Sequence, residues 1–134
     1  MSAIVVTSSG LGCRPIAGSV AYSCTKTFAS FLAQSLSYEL AGKIDCLDWA
    51  CGEVRTKMLG GRKSYWMVDT EAAVKGVLKD LGKTNSTHGA LKHEVSMSMM
   101  NCVPLRYLNP MFLKVMEKTY LRHLESGKAE RKEA

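Results

Sequence analysis

The first apolar run, at residues 4–7 (Ile-Val-Val-Thr), is short, β-branched and without polar alternation. That is the pattern of a strand covered on both faces. It stops at Ser8-Ser9-Gly10, and a loop punctuated by Gly12, Pro15 and Gly18 follows. From residue 19 to 41 the period becomes helical, with Phe28, Leu32, Leu36 and Leu40 as an i, i+4 stripe expected to face the core. Gly42 suits the end of that helix. Residues 44–49 return to a largely apolar run, which completes a β-α-β unit and predicts a parallel pair with a right-handed crossover.

A second helix is expected from Thr70, read as its N-cap, to near Gly82, with Ala73, Val74, Val77, Leu78 and Leu81 facing inward. A last short strand is expected within residues 88–95, centred on Ala90-Leu91. From 95 to 116 the chain is apolar and Met-rich, but Pro104, Arg106, Pro110 and Lys114 interrupt it, which excludes an ordinary membrane span. Residues 111–125 are amphipathic, with Phe112, Val115, Met116, Thr119, Tyr120 and Leu124 clustering. The pattern divides the chain into an α/β unit at 1–94, an apolar helical extension at 95–125 and a charged tail at 126–134, expected to be disordered.

Chemistry concentrates at the first strand end and the first helix. Tyr22 and Lys26, four apart, share one helix face. A neighbouring ammonium favours a phenolate, so such a Tyr can exchange a proton at a carbonyl oxygen. The hydroxyl of Ser9, thirteen residues before Tyr22, can hydrogen-bond the same oxygen.

Ser9 at a strand end, followed by Tyr22-Ser23-Cys24-Thr25-Lys26 as Y-x-x-x-K and then Thr27-Phe28, resembles the active site of the short-chain dehydrogenase/reductases. The resemblance implies that Ser9 polarises a carbonyl, Tyr22 is the general acid/base, and Lys26 supports the phenolate and holds the nicotinamide ribose. Cys51-Gly52-Glu53-Val54-Arg55-Thr56 is similar to the family's P-G-x-V-x-T segment. By that likeness the backbone at Gly52 and Val54 and the hydroxyl of Thr56 hold the nicotinamide carboxamide, with Cys51 standing where the family has Pro. Residues 57–69 fall where the family has its mobile substrate loop, and Tyr65 and Trp66 are its candidate substrate contacts. A flexible apolar lid over residues 95–116 is the accompanying expectation, against plain packing of a C-terminal extension.

The resemblance covers almost the whole chain but only the C-terminal half of a typical family member, a Rossmann-like doubly wound parallel sheet. The Gly-rich turn that seats a pyrophosphate on a helix N-terminus is not found. Gly10-Leu11-Gly12 begins like G-x-G, but Pro15 stands where the third Gly belongs and the helix opens only at Ser19. The family's catalytic Asn would precede the first strand and is missing with that half. The implied cofactor is NADP(H) in preference to NAD(H), although the selecting residue sits in the absent half.

The helix sequence after Lys26, Thr87-His88-Gly89-Ala90-Leu91 and the apolar run before Tyr107-Leu108 resemble one branch, the hydroxysteroid dehydrogenases and very-long-chain 3-oxoacyl-CoA reductases. The branch implies a lipid-like carbonyl substrate, a place at the cytosolic face of the endoplasmic reticulum (otherwise the cytoplasm) and peripheral membrane association. The alternative is a non-catalytic remnant, as a truncated product or an incomplete gene model. In either case an oligomer or a missing N-terminal half is expected to cover the sheet edge.

Composition narrows the rest. The net charge is +6, but Lys and Arg are interleaved with Asp and Glu, a solvated surface and not a nucleic-acid stripe. Five cysteines form no C-x-x-C pair, which reads as reduced thiols in a cytosol-facing protein. No secretory leader is read, since Met1 leads directly into a strand. His93-Glu94 opens like H-E-x-x-H, but Met97 occupies the second His position, so no metal site is supported and the three His are assigned to surface or packing roles.

Overall fold

The computed structural model describes residues 2–57 and 64–133. Strand β1 (Ser2–Thr7) leads through one 3-10 turn (Gly10–Gly12) to helix α1 (Val20–Glu39), then to β2 (Ile44–Trp49), α2 (Thr70–Asp80), β3 (Ser86–Thr87), α3 (Leu91–Cys102) and α4 (Leu105–Glu133). The sheet order is β1-β2-β3, with both pairings parallel. Its register runs from Ser2 opposite Ile44 to Thr7 opposite Trp49. The expected α/β, β-α-β-α-β order with a helical C-terminal extension is the one observed, a Rossmann-like partial fold.

Within the elements several expectations are corrected. The last strand is Ser86–Thr87, and Leu91 opens a helix instead of centring a strand. The divisions placed after residues 94 and 125 therefore both fall inside helices, since α3 spans the first and α4 the second. The helical backbone of α4 also runs through the segment expected to be disordered, up to Glu133. Asp69, not Thr70, occupies the N-cap of α2, whose buried residues are Ala73 and Val77, while Val74 and Leu78 are exposed.

The largest correction concerns α1. Its buried residues are Ser23, Ser30, Ala33 and Ser37, whereas Phe28 is 70% exposed and Leu32 44%. Small residues three, four and seven apart form one face and let the helix approach the sheet closely. The bulky residues are thereby turned to the opposite side. Gly42, in the left-handed region at φ +78°, turns the chain from α1 into β2.

β1, expected to be covered on both faces, is largely exposed, with Ile4 at 38% and Val5 at 39%. β2 supplies the centre of the core through Cys46 and Leu47, joined by Ala33, Ala50 and Met67. Among the described residues, no helix is long and apolar enough to cross a membrane.

Candidate active site

The C-terminal ends of β1 and β2 lie side by side, and the first turns of α1 stand next to them. The Ser8 N–H donates to the Trp49 carbonyl at 2.9 Å, and the Gly10 N–H to the Cys51 carbonyl at 3.1 Å. The two strand exits are thus tied together just where Ser9 and the Cys51–Val54 turn leave the sheet. The region beyond the strand ends is where open parallel sheets bind ligands.

Ser9 is buried and caps the 3-10 turn, its Oγ accepting from the Leu11 N–H at 3.3 Å. That contact uses the oxygen as acceptor and leaves the hydroxyl proton to be donated elsewhere. Lys26 donates from Nζ to the Thr7 carbonyl at 3.1 Å and lies 5.8 Å from the centre of the Tyr22 ring. The ammonium has three donors, so two remain beyond Thr7. Tyr22 is 43% exposed. The fold thus brings Tyr22 and Lys26 together at the end of β1, where Lys26 holds the Thr7 carbonyl two residues before Ser9.

The turn after β2 is reached by the same ammonium. Burial pushes the Cys51 thiol up from its ordinary value, and the nearby Lys26 charge acts in the opposite, lowering direction. At Val54 a parallel bridge to Val68 forms through the neighbours: the Glu53 carbonyl accepts from Val68 N–H at 3.0 Å, and Arg55 N–H donates to the Val68 carbonyl at 2.9 Å. In this geometry the N–H and C=O of Val54 itself point away from the bridge. Thr56 is exposed just beyond.

Tyr65 and Trp66 stack edge to face on each other, with ring centres 5.1 Å apart. Tyr65 is 76% exposed and is tied to α3, since Lys92 donates to its carbonyl at 3.2 Å. Residues 58–63 of the expected substrate loop lie outside the described residues. The Met-rich segment read as a lid forms α3 and the start of α4, and both are packed onto the loop at 10–18. Arg14 donates to the carbonyls of Met100 (2.6 Å) and Val103 (2.8 Å) at the C-terminal end of α3, and Asn109 of α4 accepts from the Ala17 N–H at 3.1 Å. The Gly10-Leu11-Gly12 glycines serve packing: a Cβ on Gly10 would meet Met97 Sδ, and one on Gly12 would meet the α1 backbone at 2.9 Å.

Sequence reading missed Asp48. It is 1% exposed near the C-terminal end of β2 and collects hydroxyl and amide donors from two elements and the end of a third. Ser8 donates to it from the end of β1, Ser30 (2.6 Å) and Gln34 (3.2 Å) from α1, and Ser86 (3.1 Å) from β3. Four charge-assisted bonds replace water around this carboxylate. They fasten the strand end carrying Ser9 to the helix carrying Tyr22 and Lys26. An Asp at the C-terminal end of an otherwise largely apolar strand, three residues after Asp45, was the available signal. Asp48 also acts at a distance: together with burial, which is the larger cause, its charge pushes the Cys13 thiol up.

A family model described as short chain dehydrogenase matches residues 2–65. No curated protein matches the chain. A solved structure from a study of 7β-hydroxysteroid dehydrogenase stereoselectivity is similar at TM-score 0.65 and 17% identity, covering 86% of this chain and 47% of that one. The chain therefore spans about half the length of this structural relative.

Proposed function

We propose, from a chain whose residues 2–65 are a segment of the short-chain dehydrogenase family, that it carries the proton-transferring half of a nicotinamide-dependent carbonyl reductase or alcohol dehydrogenase. The observation that carries this reading is the Lys26 ammonium, seated on the Thr7 carbonyl at 3.1 Å and beside the Tyr22 ring at the end of the strand that presents Ser9.

The residues present fit the nicotinamide end of such a cofactor. Lys26 has donors left for ribose hydroxyls, and the peptide groups of Val54, turned away from the bridge to Val68, match an amide, with Gly52 and Thr56 beside them. NADP(H) is preferred over NAD(H) on the family branch that the sequence resembles. When bound, the nicotinamide supplies or accepts a hydride at the substrate carbon. The chain's own work is proton handling and orientation. Ser9 donates its hydroxyl proton in a hydrogen bond to the substrate oxygen. Tyr22 gives a proton to that oxygen in reduction and takes it back in oxidation. Lys26 stabilises the phenolate left behind.

The substrate we favour is lipid-like, a 3-oxoacyl-CoA or a steroid ketone. An apolar cavity of about 240 Å³ beside the first turn of α1, lined by Pro15, Ile16, Ala17 and Val20, supports an apolar ligand. So do the exposed ring of Tyr65 and the half-buried ring of Trp66. Peripheral association with the cytosolic face of the endoplasmic reticulum belongs to the same proposal, and α4 exposes Tyr107, Met111 and Leu121 among Lys114 and Lys118 for it.

The test measures NADPH oxidation with 3-oxoacyl-CoAs of graded length in the full natural chain. Tyr22→Phe is expected to lower kcat by at least about 100-fold, and Lys26→Met to impair it as well. Each methylene removed from a buried acyl chain should cost about 0.8 kcal/mol in kcat/KM. Turnover left unchanged by Tyr22→Phe removes Tyr22 as the proton donor, and no turnover in the parent leaves the non-catalytic remnant as the reading. Chain-length-independent kinetics removes the acyl substrate.

A further inference from the structure

The turn at residues 50–54 has Cys51 where a proline ring would fix the backbone. Two imidazoles hold it instead. Nδ1 of His88, in the loop before α3, lies 2.6 Å from the Ala50 carbonyl oxygen, and Nε2 of His93, in the first turn of α3, lies 3.0 Å from the Glu53 carbonyl oxygen. A carbonyl oxygen only accepts, so each of these nitrogens carries the hydrogen. His93 is 0% exposed; with the hydrogen on Nε2, its Nδ1 carries none and makes no hydrogen bond to the His88 carbonyl 3.3 Å away. The ring fills the space above Gly52, where an added Cβ would lie 2.6 Å from His93 Cδ2. The carbonyls at both ends of the turn are therefore gripped from one helix start, with a glycine fitted between them. On the other side, the Gly10 N–H on the Cys51 carbonyl ties the same turn to the strand end bearing Ser9.

We infer that His93, assisted by His88, is the positioning residue that fixes the Gly52–Val54 backbone against the Tyr22–Lys26 face; the inference rests on the reading of that backbone as the nicotinamide seat. His93 acts through the peptide groups it holds and does not touch the reacting atoms. Gly52 is required at its position because it receives the imidazole.

The experiment compares His93→Asn with His93→Gln in the full natural chain. Gln reaches as far as Nε2 and keeps a donor for the Glu53 carbonyl, while Asn is too short. Gly52→Ala tests the same contact from the other side. His93→Asn and Gly52→Ala should accelerate hydrogen exchange at the Gly10 and Arg55 amides by about tenfold, the loss of one hydrogen bond's restraint. The amides that pair β1 with β2 should keep their rates, and His93→Gln should stay within about threefold of the parent. In His93→Asn the Kd for NADPH should rise about tenfold while that for ADP-ribose, which has no nicotinamide, is unmoved. Unchanged exchange in both His93→Asn and Gly52→Ala overturns the inference. Equal weakening of NADPH and ADP-ribose also overturns it, since that is a general loss of structure. If the exchange pattern appears but the parent binds neither NADPH nor NADH, the grip on the turn stands and the nicotinamide reading falls.

Discussion

The thiol of Cys51 lies under two opposing influences, burial that raises its ordinary value and the Lys26 ammonium that lowers it, with burial the larger. The net shift is upward, so at a given pH less thiolate is present than for a free cysteine. Alkylation by iodoacetamide, which needs the thiolate, should be slower at Cys51 than at a free thiol near pH 8. Lys26→Met removes the lowering influence, raises the thiol further and should slow the reaction by a further few-fold, read by mass spectrometry over time. An unchanged rate would mean that the ammonium does not reach the turn. Cys13 gives the converse test, because burial and, to a lesser extent, the Asp48 charge push it up, so Asp48→Asn should speed its alkylation.

At the scale of elements, Asp48 and the small-residue face of α1 hold the site together. Asp48→Ala leaves the donors from Ser8, Ser30, Gln34 and Ser86 facing an empty, buried site. The expected cost is about 3 kcal/mol, seen as a lower urea midpoint. Asp48→Asn should cost less, since one oxygen still accepts. The α1 face predicts a contrast that the apolar pattern alone would reverse. Ala33, at 0% exposure, sits against the sheet, so Ala33→Leu should destabilise by about 1–3 kcal/mol. Phe28→Ser, at a position 70% exposed, should change stability by about 0.5 kcal/mol or less. Denaturant titration of the two variants separates these faces directly.

For the whole molecule, β1 is an edge strand whose apolar residues Ile4 and Val5 are over a third exposed, and α1 presents Phe28, Phe31 (68%) and Leu32 outward. Unpaired backbone on an apolar edge invites strand addition, and contiguous apolar surface invites association. The 134-residue chain by itself is expected to self-associate in sedimentation at micromolar concentration. Phe31→Glu should reduce that association without lowering stability. A monodisperse monomer with the parent sequence would contradict this expectation.

The sequence by itself determined the order of elements through α2, the parallel β-α-β unit and the pairing of Tyr22 with Lys26 on one helix face. These depend on local period and on fixed spacing along one helix turn, which a linear pattern records. The 58–63 part of the expected substrate loop lies outside what the structure describes. Tertiary structure alone decided which face of α1 is buried. Close approach to the sheet and four donors around Asp48 outweigh the apolar attraction of Phe28 and Leu32, and a period count weighs only the latter. It also decided that residues 88–95 begin a helix. There Ala90 and Leu91 have no sheet partner among the described residues, while His93 gains a buried place on Gly52 by entering a helix. The grip of His88 and His93 on residues 50–54 joins segments some forty residues apart, and such contacts follow from packing, not from any pattern along the chain.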